Sequence, residues 1–351
     1  MAKRTGSVLV RAACATAMLV ACQVSSDDPV PGKILYYYTW SDYAGPELLK
    51  EFEQRHNVRV VIDTFSSNEE LLAKLQSGAS GYDVTVPSDF MVAIMAKQGL
   101  LADLEPDRIP NARALEDVLQ RMPVDPSHRF SVPYLWGTVG IGYDSAVLPT
   151  PPDSWAVLWD ERYRGRISML NDQREVVGAV LRSLGQSMNT RDPAVLGQAR
   201  DVLLRQKPLV KTYSSDHYDQ LLASGEVVLA HGWGGPVARA MALKPSIRYV
   251  VPKEGATIWA DCLVIPRTSR NKELARAFIN YLLDREVAAR TSEQLLFASA
   301  NREAKALVKE SVRNNPAVYP LPASLGHVEW MMDVGEAIRL YDRIWTELKV
   351  S

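Results

Sequence analysis

Hydrophobic and polar positions after Lys33 follow two alternating periods. Short runs rich in β-branched and aromatic residues predict strands, and the segments between them carry apolar residues every three or four positions, as one face of a helix does. In the first half we predict strands at 34–40, 58–65 and 82–86 and helices at 46–56, 68–77 and 88–98. Pro46 falls in the first helical turn, where proline is well tolerated. This order predicts an α/β fold with a mainly parallel sheet flanked by helices.

A second cycle of the same kind begins after Gly165. We predict strands at 166–170, 227–233 and 247–251 and helices at 175–184 and 193–205. Three later segments, 272–283, 285–295 and 334–348, also have helical periodicity. Two cycles without an internal repeat or a low-complexity linker indicate two lobes that are closely joined.

The segment 131–142 lies between the two cycles and contains Gly137, Gly140 and Gly142 in an apolar, extended context. Two interpretations fit equally well. It is either a crossover that acts as a hinge between the lobes, or a core strand in which the glycines permit close packing. The segment 260–265 is a second candidate crossover.

The N-terminus indicates export. Lys3, Arg4 and Arg11 precede and flank a short apolar run at 12–21, which is typical of a secretory signal and too short to span a bilayer. The run ends in Leu-Val-Ala-Cys, which resembles a lipobox, so we expect a signal peptide at 1–21, lipid on Cys22 and a polar tether at 22–31. The alternative is an ordinary signal with a cysteine at its end. We therefore expect a periplasmic or cell-surface protein that is lipid-anchored through Cys22.

Composition narrows the function class. Removal of residues 1–21 leaves 37 basic and 41 acidic residues, a net charge of −4, and no basic run supports nucleic-acid binding. Of the three cysteines, Cys14 lies in the signal and Cys22 would carry lipid, so Cys262 has no disulfide partner. Stability must therefore come from packing.

Enzyme and metal signatures are missing from the sequence. It contains no glycine-rich phosphate loop, no Gly-x-Ser-x-Gly and no His-Glu-x-x-His, and its five histidines lack metal-ligand spacing. Asp83, Asp172, Glu175 and Asp261 are candidate acids, but no pattern marks them as catalytic. We predict a protein without catalytic residues, metal or cofactor.

Aromatic and acidic residues concentrate where predicted strands end, which is where open parallel sheets bind ligands. Each also has a structural interpretation. Ser41 and Ser88 are good helix N-caps, and Asp172 with Glu175 fits a capping box. Trp233 and Trp259 could be core residues, since tryptophan is usually well buried. Cap and ligand roles can coexist at a helix start.

Several ordered blocks resemble the periplasmic spermidine/putrescine-binding proteins of polyamine ABC importers. The blocks lie at 35–43 (LYYYTWSDY), 82–88 (YDVTVPS), 132–137 (VPYLWG), 172–176 (DQREV), 225–233 and 252–261. The resemblance covers nearly everything after Lys33. It implies a two-lobed, type II periplasmic-binding fold with two hinge crossovers, for which we expect one lobe at 32–139 plus 262–307 and the other at 140–261 plus 308–351.

The resemblance also implies a ligand site. It would have an aromatic box of Trp40, Tyr43, Trp233 and Trp259, ammonium-binding acids Glu175, Asp261 and Asp172, and assisting residues Ser41, Asp42 and Ser88. The chain departs from the family at three kinds of position. Phe90 and Phe297 stand where spermidine-binding members have tyrosine, Met331 replaces a glutamine, and Pro236 replaces an aspartate of putrescine-binding members.

The resemblance thus implies a solute-binding protein, expected as a monomer, that delivers spermidine or putrescine to ABC permease subunits. Trp259 favours spermidine, as does the lack of an aspartate at 236, whereas Ser41, Asp42 and Tyr43 resemble the putrescine-preferring pattern. The alternatives are the same fold binding another cationic amine, or a polyamine sensor. A more remote alternative is a glycoside hydrolase that uses two carboxylates in a tryptophan-lined cleft.

Overall fold

The computed structural model describes residues 33–41, 43, 45–78 and 81–351. The predicted signal peptide, tether and lipid site at Cys22 lie outside these residues, and so does the candidate ligand residue Asp42. The strands are β1 (Lys33–Trp40), β2 (Val58–Phe65), β3 (Val84–Thr85), β4 (Ser131–Asp144), β5 (Ile167–Met169), β6 (Val210–Tyr213), β7 (Leu229–Trp233), β8 (Ile247–Val250), β9 (Thr257–Val264), β10 (Ala298–Ser299) and β11 (Glu329–Trp330).

The α-helices lie between these strands and after them. They are α1 (Pro46–His56), α2 (Asn68–Gln76), α3 (Asp89–Lys97), α4 (Gln173–Ser183), α5 (Pro193–Gln206), α6 (Tyr218–Ser224), α7 (Gly234–Leu243), α8 (Lys272–Leu282), α9 (Arg285–Leu295), α10 (Glu310–Arg313) and α11 (Ile338–Val350). Within the described part of the chain, none of these helices is both long and apolar enough to cross a bilayer.

The sheet consists of two parallel parts joined by antiparallel strands. Its order is β2-β1-β3-β9-β4-β7-β5-β6, in which β1 pairs in parallel with β2 and β3, and β5 pairs in parallel with β6 and β7. Between these parts, β9 and β4 run antiparallel to each other and to their outer neighbours. The two-lobed α/β class and both crossovers are confirmed. The residue boundaries of the lobes stay a prediction.

The long strand β4 crosses from one lobe to the other and is also a close-packed strand of the core. Its first half pairs with β9, and its second half pairs with β7 and β8. A Cβ at Gly140 would lie 2.5 Å from the carbonyl oxygen of Val250, and one at Gly142 would lie 2.9 Å from side-chain atoms of Leu222 and Val237. The glycines are therefore needed for close approach of neighbouring elements. The crossover and the close packing are both present in this segment, and its hinge role stays a prediction.

Several elements of the second lobe were not predicted. They are β6, α6, α7, α10 and β11. Helix α7 begins with Gly234, Gly235 and Pro236, a composition that is typical of a turn. The helix forms because proline is tolerated in a first turn, and because Val237, Ala238 and Ala240 are buried against the core. This helix start matters for the site, since it directly follows Trp233.

Candidate functional site

One face of β9 organises the candidate site. Side chains alternate between the faces of a strand, so Thr257, Trp259 and Asp261 share one face. All three are buried or nearly so. At one end of this row, residues from other elements donate hydrogen bonds to Asp261, and at the other end Thr257 donates one to Glu175 of α4.

Asp261 accepts two hydrogen bonds at one end of the row. The hydroxyl of Tyr43 donates to Oδ2 at 2.6 Å, and the hydroxyl of Ser88 donates to Oδ1 at 2.8 Å. Burial raises the pKa of Asp261 to about 6, although both hydrogen bonds act to lower it. Ser88 occupies the N-cap position of α3 but its hydroxyl makes no capping bond. The interpretation of Ser88 as a cap alone is therefore wrong.

Glu175 lies at the other end of the row. It is 4% exposed, and Oε2 accepts the hydroxyl of Thr257 at 2.5 Å. Burial raises the pKa of Glu175 to about 8, and repulsion from Asp172 acts in the same direction. A carboxyl in this state is poorly solvated, and Arg174 compensates its charge only weakly.

Asp172 caps α4, as the capping box predicts. Its Oδ1 accepts the amide of Glu175 at 3.0 Å. A capping box also predicts a hydrogen bond from the Asp172 amide to the Glu175 carboxylate. This part of the prediction is wrong, because the carboxylate accepts the Thr257 hydroxyl instead. Burial also raises the pKa of Asp172. The cap thus leaves Glu175 directed at β9.

Aromatic rings cover the row between its two acidic ends. The ring of Trp259 meets Phe297 edge-on, with centroids 5.2 Å apart, and Phe297 lies 6.1 Å from the ring of Tyr43. Gly137 of β4 lies opposite Trp259 of β9. A Cβ at position 137 would lie 2.8 Å from the Cζ2 atom of Trp259. The absence of a side chain at 137 leaves room for the indole of Trp259 against β4.

Trp233 extends this aromatic cover across β4. Opposite residues of antiparallel strands share a face, and Trp259 pairs with Gly137 while Trp233 pairs with Val139, two residues further along β4. Both indoles are therefore on the same face of the sheet, one on either side of β4. Phe297 packs against Gly235 at the start of α7, beside Trp233.

The other predicted site residues lie at the edges of this group. Trp40, at the end of β1, is half-buried with its ring 4.5 Å from that of Phe65, and Ser41 after it is exposed. Phe90 is half-buried in the first turn of α3. Met331 is buried and follows β11, which pairs with β9 at Thr257 and Ile258.

The sequence reasoning missed Thr257 and Asp89. Thr257 lies two residues before Trp259, so strand alternation could have placed it on the same face. Asp89 follows Ser88 and is 1% exposed, with a pKa raised by burial to about 8. Asp83, a candidate acid, has a structural role, because Tyr36, Ser269 and Asn271 all donate hydrogen bonds to it.

Within the described part of the chain, the site acids form no ion pair. Among the described residues, no lysine, arginine or histidine forms an ion pair with Asp172, Glu175 or Asp261. The charge of Arg174 lowers the pKa of Asp172 and of Glu175, but it is the smallest of the influences on each. A buried carboxyl without a cation is favoured in its protonated form, and a bound cation would stabilise its ionised form. Indole faces attract cations and cover apolar chain, so the fold and site define a two-lobed protein built to bind a small organic cation.

Comparison with known proteins agrees with this class. The family model for bacterial extracellular solute-binding proteins matches residues 47–320. The spermidine/putrescine-binding periplasmic protein 1 of Haemophilus influenzae is 33% identical, with 98% of each chain covered. The putrescine-binding periplasmic protein SpuD of Pseudomonas aeruginosa is 32% identical, with 99% of each chain covered. The TpPotD lipoprotein of Treponema pallidum superposes with a TM-score of 0.84 at 35% identity, over 91% of this chain and 100% of that one.

The chain belongs to the bacterial extracellular solute-binding protein family. It is therefore a binding protein and not an enzyme, which excludes the glycoside hydrolase alternative. Family membership also indicates a periplasmic location.

Proposed function

We propose that this protein captures a linear polyamine, with spermidine preferred over putrescine, and delivers it to an ABC importer. The observation that carries the proposal is the row on β9. It has acids at both ends that form no ion pair among the described residues, namely the buried Glu175 with the half-buried Asp172 and the buried Asp261, and an aromatic cover between them. A polyamine has the complementary pattern of charged ends and an apolar middle. The names of the relatives support the same ligand class.

The length of the row favours the triamine. Thr257, which binds Glu175, and Asp261 are four residues apart in β9, about 13 Å along a strand. Terminal nitrogens of extended spermidine are nine bonds apart, about 11 Å, whereas those of putrescine are five bonds apart, about 6 Å. With hydrogen bonds of about 2.8 Å at each end, extended putrescine spans about 12 Å and extended spermidine about 17 Å, so the row favours the longer ligand.

Affinity also depends on the aromatic cover. Micromolar binding requires about −8 kcal/mol, which is roughly −0.8 kcal/mol for each heavy atom of spermidine. Each cation–π contact contributes about 0.5–2 kcal/mol. Trp40, Tyr43, Trp233 and Trp259 are the aromatic residues for this role, with Phe90, Phe297 and Met331 as apolar neighbours and Ser41, Asp42 and Ser88 as polar ones. A closed slot is required, since a shallow surface would leave the ammonium groups in water.

Capture would proceed by closure of the two lobes over the ligand about β4 and β9, followed by recognition of the closed form by permease subunits. Lipid on Cys22, after removal of residues 1–21, would hold the protein at the membrane surface near its permease. The same ligand and closure would also suit a sensor. A permease and an ATPase encoded beside this protein would favour uptake.

Calorimetric titration with spermidine and putrescine tests the ligand. We expect spermidine to bind with a micromolar or lower Kd and putrescine more weakly. Tighter binding of putrescine would contradict the preference, and binding of neither amine would contradict the polyamine proposal. Thermal melting with a panel of other cationic amines, amino acids and sugars would then identify the ligand class, since a ligand of the folded state raises the Tm.

Gly137→Ala should weaken spermidine binding while leaving the fold intact. The new Cβ would lie 2.8 Å from Trp259 Cζ2, so the indole must shift. Small overpacking costs about 1–3 kcal/mol in stability, and the displaced ring should cost severalfold in affinity. Gly197→Ala is the matched control. No atom lies within 4 Å of its Cβ position in α5, so it should stabilise the helix slightly and leave affinity unchanged. Equal affinity for both variants would contradict a ligand role for Trp259.

A further inference from the structure

Asp89 is a buried acid outside the predicted site. It is the first residue of α3 and is 1% exposed. Its carboxylate accepts two backbone amides, from Phe90 at 2.6 Å and from Ala260 at 3.3 Å. Ala260 lies between Trp259 and Asp261 in β9, so Asp89 borders the acidic row from the side of α3.

Other buried aspartates of the described chain are compensated more fully. Asp219 and Asp144 pair with Arg239 and Lys244, respectively. Asp125 accepts four hydrogen bonds from the 129–131 segment, and Asp83 accepts three. Only Asp89 and Asp261 among the described buried aspartates have two donors and no ion pair. Asp89 therefore resembles the site acid and not the structural ones.

The ionisable groups whose charges interact with Asp89 are acidic. The ionisable groups that act on it or feel its charge are Asp261 and Cys262 of β9 and Glu175 of α4. None of the described basic residues contributes to its pKa, which burial raises to about 8. Without a ligand, such a carboxyl retains a proton near neutral pH.

We propose that Asp89 is a fourth acid of the ligand site, which selects a trivalent over a divalent amine and releases its proton when the ligand is captured. The proposal rests on the polyamine function. Four carboxylates and the nearby Arg174 give a net charge of −3 when all are ionised. A trication balances this charge, whereas a dication leaves one negative charge uncompensated, which a retained proton must neutralise.

Asp89→Asn separates charge from structure. The amide oxygen can still accept the Ala260 amide and hold β9 in position, but the negative charge and the hydrogen bond from the Phe90 amide are both lost. We expect spermidine affinity to fall about tenfold, as for a charge roughly 10 Å from its partner at an effective dielectric constant near 20, and putrescine affinity to fall less than threefold. Asp89→Glu, which restores the charge, should recover the spermidine preference.

Asp219→Asn is the matched control. Asp219 is also a buried first-turn aspartate and accepts the amide of the next residue at 2.8 Å, but it pairs with Arg239. Its neutralisation should lower the Tm and leave the ratio of the two affinities unchanged. Circular dichroism establishes that each variant is folded before titration.

Calorimetry in phosphate and in Tris near pH 7.5 measures the protons exchanged, because the two buffers differ in ionisation enthalpy. We expect the wild-type protein to release more protons with spermidine than with putrescine, and Asp89→Asn to abolish that difference. Equal losses of affinity for both amines, or an unchanged proton count, would overturn the role of Asp89 while leaving the polyamine function intact. Failure of the wild-type protein to bind either amine would instead overturn the function itself.

Discussion

Glu175→Gln should weaken spermidine binding at least tenfold and, at the same time, stabilise the ligand-free protein above about pH 8. Glutamine has the shape of glutamate and keeps an oxygen that accepts the Thr257 hydroxyl. What it loses is the charge that we propose binds an ammonium group. A hydrogen bond to a charged group contributes about 1.5–3 kcal/mol, which gives the expected loss of affinity.

The gain in stability follows from the pKa of Glu175. It is about 8 in the folded protein because of burial and the neighbouring Asp172, and about 4.3 in an unfolded chain. Between these values the folded state holds a proton that the unfolded state has lost, so the free energy of unfolding falls as the pH rises. Above pH 8 the buried charge has its full cost, a few kcal/mol at about 1.4 kcal/mol per pKa unit. The variant lacks this cost.

Both effects are measured on the same protein, by titration with spermidine and by urea unfolding at pH 5 and pH 9. Glu116→Gln is the control, since burial raises the pKa of Glu116 too, but Lys305 and Arg302 act on it instead of the site acids. It should change stability without changing affinity. Unchanged spermidine affinity in Glu175→Gln would contradict the proposed role of Glu175 in binding an ammonium group.

The lobe architecture could be predicted because local patterns specify it. The predicted strand at 58–65 and helix at 46–56 coincide with β2 and α1, and β1 and α5 differ by one residue at an end. Their apolar periodicity is regular and their ends have clear turn or cap residues. The two-residue strands β10 and β11 have no such pattern, because their conformation depends on pairing with distant strands.

The contacts within the site could not be predicted in the same way. Tyr43 and Ser88 bind Asp261 across 218 and 173 residues of sequence, and Thr257 binds Glu175 across 82. Local patterns around Ser88 and Asp172 fit helix caps equally well, and only the tertiary structure shows where each side chain bonds. Asp89 was missed because burial without a counter-charge is a property of the folded chain.

His231 should make the protein sensitive to acid independently of the ligand. It is fully buried in β7, its ring lies 5.4 Å from that of Trp155, and neither ring nitrogen has a hydrogen-bond partner among the described residues. Burial lowers the pKa of His231 to about 3. The neutral ring is therefore the form that the folded protein holds.

His231→Leu should remove part of the acid sensitivity. In the unfolded wild-type chain the histidine titrates near pH 6.5, so between about pH 6.5 and 3 only the unfolded state binds its proton, and stability is lost as the pH falls. From pH 7 to pH 5 this loss is about 2 kcal/mol, at about 1.4 kcal/mol per pH unit below 6.5. The raised pKa values of Asp89, Asp261 and Glu175 act in the opposite direction, so the difference between variant and wild type isolates the histidine.

Urea unfolding of both proteins at pH 7, 6 and 5 measures that difference. The stability of His231→Leu relative to wild type should rise by about 2 kcal/mol across this range. His217→Gln is the control, because His217 is exposed and its removal should leave the pH profile unchanged. Parallel profiles for His231→Leu and wild type would mean that His231 accepts a proton in the folded protein, in which case the space between Trp155 and Glu175 must admit a solvating partner for the charged ring.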